Sequence, residues 1–181
     1  MNTKQIIIDA AFSLFEKQPF RQLPVQDILN EAHVSRATFY KFFSDKHELM
    51  HLYYRSFMDR TIEQEFNGHN WREIAEHLLS FMLTKQSFFL NVKDTDGQDS
   101  FWDFLRSYSF DFYSSVMLRN EKRDSLTEDE RLTIISHLEG SIALLKLYIE
   151  GKVGIVPGDL ARLICSTIPD SYQEYQEASG Q

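Results

Sequence analysis

Two short stretches of this 181-residue chain place chemically capable residue types at suggestive spacings. The first is His47-Glu48-Leu49-Met50-His51, which reads H-E-x-x-H. On a helix His47 and His51 share a face one turn apart with Glu48 beside them, which would give a catalytic zinc two imidazole ligands and a general base. A third ligand is then required. The extended pattern wants glycine at 54 and histidine at 57, where this chain has Tyr54 and Phe57, and Glu63, Glu65 and His69 fall on the same predicted helix or at its end. A zinc-dependent hydrolase is therefore the weaker reading, and no enzyme activity, metal or cofactor is expected. The second stretch runs from Ser35 to Lys46. Arg36, Lys41 and Lys46 lie within eleven residues that hold one acid, Asp45, and Ser35, Thr38 and Tyr40 add hydroxyls. Guanidinium, ammonium and hydroxyl groups on one short helix suit the phosphates and base edges of a DNA major groove.

These side chains need elements to position them. Ser35 is a good N-cap for a short helix holding Phe39, Tyr40 and Phe43, and Pro24 opens a preceding helix with Ile28, Leu29 and Ala32 inward. Between the two, His33 falls where a tight turn demands positive φ, which histidine tolerates better than most residues. Ala32, Val34 and Phe39 would lock the pair together as a helix-turn-helix. Ser44 and Asp45 then cap a longer helix that starts near Lys46 and runs to about Phe66, while an earlier one runs from Asn2 or Thr3 to about Lys17. Later apolar spacing predicts helices near 71–84, 87–92, 99–119, 127–150 and 157–168, and no alternating strand pattern is found. The fold class is thus all-α.

Composition narrows the function classes. The net charge of -8 speaks against a protein that coats nucleic acid by bulk attraction. The charge is uneven, however: residues 1–55 hold seven bases and six acids, so the first segment is +1 and the remainder -9. Lone Cys165 cannot form an intrachain disulfide, and neither a signal pattern nor an 18-residue apolar run is found, so a cytoplasmic protein that does not span a membrane is expected. The acidic turn from Asp94 to Asp99 lacks the spacing of an EF-hand calcium loop, and the polar tail from Asp170 reads as frayed.

The runs Ile7 to Phe15, Val25 to Leu29 and Ala32 to Leu49 together resemble the DNA-binding domain of tetracycline-repressor (TetR) family regulators. Three positions depart from the family pattern: Pro19 stands for a helix-ending glycine, Pro24 for a capping threonine or serine, and His33 for the turn glycine. The resemblance implies a DNA-binding domain at 1–50 and a helical effector-sensing and dimerisation domain at 51–181. It also implies residue roles: Thr38, Tyr40 and Lys46 on phosphates, Arg36 and Lys41 toward base edges, and Ser35 capping the reading helix near the backbone. The implied partners are double-stranded operator DNA, a second copy of the chain and an apolar or amphipathic small-molecule effector. Repression by operator occlusion is the first expectation, and an operator-bound activator using a protein partner is the alternative.

The second domain is rich in aromatics. The resemblance implies a ligand pocket there, with candidate lining residues His77, Phe81, Gln86, Phe89, Trp102, Tyr108 and Phe112, and with Ser107 or Asp111 as further polar groups. The helix near 127–150 carries one apolar row through Ile135, Leu138, Ile142, Leu145 and Ile149 and another through Ala143, Leu144 and Leu147. One row can serve the subunit core and the other a partner helix. The expected dimer interface comprises Gly140, Ile142, Leu144, Leu160, Leu163, Ile164 and Thr167.

Overall fold

A computed structural model describes residues 2–65, 71–95 and 100–168, without the side chains of 60–65, 71–74 and 120. Among them the α-helices are α1 (Thr3–Phe15), α2 (Val25–Ala32), α3 (Arg36–Tyr40), α4 (Lys46–Glu65), α5 (Trp71–Thr84), α6 (Gln86–Val92), α7 (Phe101–Glu121), α8 (Glu128–Ile149) and α9 (Pro157–Cys165), with a 3-10 turn at Phe20–Gln22. The tail from Asp170 and most of the acidic turn lie outside the described residues.

The chain forms two compact units, one of residues 1–59 and 85–104, the head, and one of 60–84 and 105–181. The head is thus larger than the segment 1–50 drawn from sequence. Its extension has a physical cause, since α6 presents Phe88, Phe89 and Val92 with no exposed surface, and covering them requires α1 and α4. Phe88 packs on Tyr53 at 4.3 Å between ring centroids and on Phe15 at 6.2 Å. Polar groups fix the same junction: Asn91 Nδ2 donates to the Phe15 carbonyl at 3.0 Å, while Glu16 accepts from Tyr53 Oη at 2.9 Å and from Lys85 Nζ at 2.7 Å. The Lys85 ammonium holds the Glu16 carboxyl below the usual carboxylate range, against the upward pull of burial.

In the second unit α5 packs on α9, and α7, α8 and the segment after α9 share a core of Val116, Met117, Ile134, Leu138 and Ile168. α8 starts at a capping box in which Thr127 Oγ1 accepts from Glu130 N and Glu130 Oε2 accepts from Thr127 N at 2.7 Å. The Arg123 guanidinium on Glu130 pulls that carboxyl down to about 2. Gly151, at φ 66°, ends α8 in the left-handed region, where it lets Lys152 N reach the Leu147 carbonyl at 2.9 Å. α8 is long and apolar enough by composition to cross a bilayer, but its row Leu138, Ile142, Leu145 and Ile149 is buried within the chain.

Candidate nucleic-acid interface

The turn predicted at His33 is present: its φ and ψ are 53° and 43°, and Val34 N donates to the Leu29 carbonyl at 3.1 Å to close α2. The chain then re-enters a helix at Ser35, whose Oγ accepts from Thr38 N at 3.1 Å and lies 2.8 Å from Thr38 Oγ1. Phe39 anchors this five-residue helix. It has no exposed surface and meets the rings of Tyr40 at 5.2 Å and Phe43 at 5.9 Å. Burying one side of so short a helix leaves the rest outward: Ser35, Arg36 and Lys41 are exposed, Thr38 is half-buried, and Tyr40 keeps 48% of its surface. Five of the six residues expected at DNA therefore share one short element and its cap.

The sixth, Lys46, has a more internal setting. Asp45 Oδ1 caps α4 by accepting from the backbone of His47 at 2.8 Å and Glu48 at 3.0 Å. Lys46 follows, and its Nζ donates to the carbonyls of Phe20 and Leu23, each at 2.6 Å, while sitting 4.4 Å from the centre of the Phe20 ring. Burial lowers its pKa from the ordinary lysine value. An ammonium carries three N–H groups, so one remains beyond the two carbonyls.

The H-E-x-x-H residues are engaged differently from what zinc chemistry needs. Glu48 Oε2 accepts from Ser44 N at 2.8 Å and Ser44 Oγ at 3.0 Å, which makes it a helix cap. His47 meets the Phe20 ring edge-on at 4.8 Å, and His51 stacks on Phe104 at 4.4 Å. Among the described residues no group of three His, Cys, Asp or Glu is placed to hold a metal ion.

The residues expected at a ligand pocket are divided between the units. Phe89 and Trp102 come together in the head, both in contact with Phe101, and Trp102 Nε1 donates to the Lys93 carbonyl at 2.9 Å. Gln86 is exposed on α6 of the same unit. Phe81, Tyr108 and Phe112 are half-buried in the second unit, where His77 is exposed.

The expected dimer interface is also divided. Ile142, Leu160 and Ile164 are buried within this chain, so their side chains belong to its own core and cannot form a surface for a partner. Gly140, Leu163 and Thr167 are exposed, and Leu144 is half-buried. Leu132 and Leu147, also exposed, extend the outward row on α8, and an open groove of about 740 Å³ runs along it from Asp129 to Leu144 with Thr167 at its side. Leu132 was missed in the sequence because its row is interrupted by Ser136 and Gly140.

His137 in the wall of this groove was also missed, although a histidine inside the apolar row from Ile134 to Ile142 is a visible signal. It is 6% exposed and joins three segments: Nε2 lies 3.1 Å from Tyr113 Oη, and Nδ1 lies 2.9 Å from Thr167 Oγ1, which itself donates to the Ile164 carbonyl. Since the Thr167 proton is spent on that carbonyl, Nδ1 carries the imidazole proton and Nε2 accepts from Tyr113. Burial lowers the His137 pKa below its unfolded value of 6.5, against an opposing contribution from Thr167. The folded state thus binds fewer protons, so this contribution to stability is present above pH 6.5 and is lost as pH falls toward the lower folded value. The melting midpoint should drop as pH falls below 6.5, and His137→Asn should flatten that part of the profile.

Comparison with known proteins gives one picture for both units. Residues 7–52 match the profile of bacterial regulatory proteins of the tetR family, and residues 69–170 match a transcriptional regulator C-terminal region. A relative from Lactococcus lactis subsp. lactis (strain IL1403), the HTH-type dhaKLM operon transcriptional activator DhaS, is 26% identical over 90 residues. That match spans 50% of this chain and 48% of the relative, about half the length of each. Among solved structures, the dihydroxyacetone kinase operon activator DhaS is similar with a TM-score of 0.62 at 19% identity, over 97% of both chains. A TetR transcriptional regulator from Streptococcus agalactiae gives 0.66 at 21% identity, over 92% of this chain and 93% of that one. At these identities the structural likeness shows a shared fold.

Proposed function

The chain belongs to the tetR family of bacterial regulatory proteins and is a transcriptional regulator, and from that premise we propose that it is a cytoplasmic, homodimeric repressor released from its operator by a small molecule. The observation that carries the DNA-binding part of this reading is the Ser35-capped helix, anchored by buried Phe39, that turns Arg36, Tyr40 and Lys41 to solvent. In this reading Arg36 and Lys41 meet base edges, while Ser35, Thr38, Tyr40 and the remaining N–H of Lys46 meet phosphates. The outward row of α8 with Leu163 and Thr167 of the α9 region meets a second copy, so that two heads address two half-sites. An apolar or amphipathic effector suits the half-buried rings Phe81, Tyr108 and Phe112 of the second unit.

Titration on the duplex upstream of the protein's own coding sequence and on a scrambled duplex, at several salt concentrations, tests the assignment. Arg36→Ala should cost about 1–3 kcal/mol on the first duplex and much less on the second, because a guanidinium paired to a guanine edge discriminates between bases. Tyr40→Phe, which removes a phosphate hydrogen bond, should weaken both alike. Equal loss on both duplexes in the Arg36 variant would remove its base-reading role.

A second reading, activation, is favoured by the names of two relatives, both operon activators. Transcription from the bound promoter in purified components separates the two: repression lowers the transcript level when protein is added and activation raises it.

A further inference from the structure

The Lys46 ammonium has a seat on backbone carbonyls of the head that DNA binding does not use. Its two carbonyl acceptors are not an arbitrary pair. Phe20 opens the 3-10 turn, and Leu23 is the last residue before Pro24, the N-cap of α2. Pro24 has no N–H and its side chain caps nothing, so the helix-turn-helix begins without the side-chain cap that a serine or threonine there would supply. At the same point two backbone carbonyls turn toward one position and the Phe20 ring presents its face to it, which together make a cation site inside the fold. The Phe20 ring is itself fixed, being 1% exposed and packed on Phe15 at 5.4 Å and on His47 at 4.8 Å.

We propose that Lys46 is a positioning residue as well as a phosphate ligand: from the first turn of α4 its ammonium clamps the carbonyls of Phe20 and Leu23 and so sets where α2, and with it the reading helix α3, begins. The clamp links the N-termini of α2 and α4 across 23 residues of sequence between Leu23 and Lys46. The proposal rests on the DNA-binding reading only for its phosphate half, because the clamp itself is a property of the chain without DNA. The elements whose relation it fixes are the ones that must fit a groove of defined width, and an error of an ångström at the start of α2 is carried to Arg36 and Tyr40.

The test uses the full-length protein with Lys46→Met, which keeps the apolar stem and removes the donors, and with Lys46→Arg, which keeps charge and donors. Thermal unfolding without DNA reads the clamp, and the salt dependence of binding to the upstream duplex reads the phosphate. Lys46→Met should lower the melting midpoint by about 4–8 °C, the size expected when a charged donor loses two backbone acceptors in a chain of this length. It should also reduce the slope of log affinity against log salt by about one unit. Lys46→Arg should melt within about 2 °C of the parent and keep the slope. A Lys46→Met protein that fails to fold beside a folded Lys46→Arg supports the clamp as a lowered midpoint does. Equal loss of stability in both variants, or an unchanged midpoint with a reduced slope, overturns the clamp while leaving the DNA-binding reading intact. A lowered midpoint with an unchanged slope keeps the clamp and removes the phosphate contact. Parent protein that binds no duplex counts against the DNA-binding reading alone, since the melting comparison still decides the clamp.

Discussion

Replacing Leu144 with aspartate is expected to convert a dimer into monomers and to lower affinity for a two-half-site operator by about 10²–10⁴-fold. The outward row of α8 sets this expectation. Leu132, Gly140, Leu144 and Leu147 follow one another at helical spacing, with Leu132 49% and Leu147 38% exposed, and Leu163 of α9 is 44% exposed. A carboxylate in the middle of this face would have to be stripped of water at an apolar contact, which costs several kcal/mol when no partner awaits it. The single chain itself tolerates the change better than a core substitution, because Leu144 is only half-buried in the monomer and Ile142, Leu160 and Ile164 hold the unit's core independently. The large loss of affinity follows from geometry: two tethered heads occupy their half-sites in one event, while a monomer pays the association cost for each. Sedimentation at micromolar concentration and operator titration check the two halves of this expectation. A parent protein that sediments as a monomer, or a Leu144→Asp protein that stays dimeric, would refute this interface. Ile142→Asp is the contrasting control and should unfold the second unit instead of dividing a folded dimer.

Phe39→Ala should be the most damaging single change in the reading helix α3, where it is the one buried residue, costing about 3–5 kcal/mol. Phe39 is the fully buried residue of α3, and its ring touches both Tyr40 and Phe43. A five-residue helix has almost no stability of its own, since so few hydrogen bonds cannot repay nucleation, and removing its anchor releases the reading surface as a whole. Binding to upstream and scrambled duplexes should fail together, unlike the sequence-dependent loss expected for Arg36→Ala. Phe39→Leu, which refills most of the volume, should recover much of the midpoint and of the affinity. A Phe39→Ala protein that melts and binds like the parent would show that α3 is held by something other than this ring.

The sequence by itself determined the all-helical class, the caps at Ser35 and Asp45, the positive-φ turn at His33 and the placement of Arg36, Thr38, Tyr40 and Lys41 on one short helix. Each of these follows from interactions within a few residues of sequence, where side-chain type and helical period suffice. The tertiary structure alone decided how distant segments share space. It drew α6 into the head through Phe88 and Phe89, placed Lys46 on carbonyls more than twenty residues away, engaged Glu48 with Ser44, and joined His137 to Tyr113 and Thr167. It also separated the two apolar rows of α8, turning Ile142 inward and leaving Leu144 and Leu147 on the outer side. Periodicity reveals that a helix has two apolar rows, but which row meets the chain's own core depends on the helices packed beside it, and that information lies outside the helix.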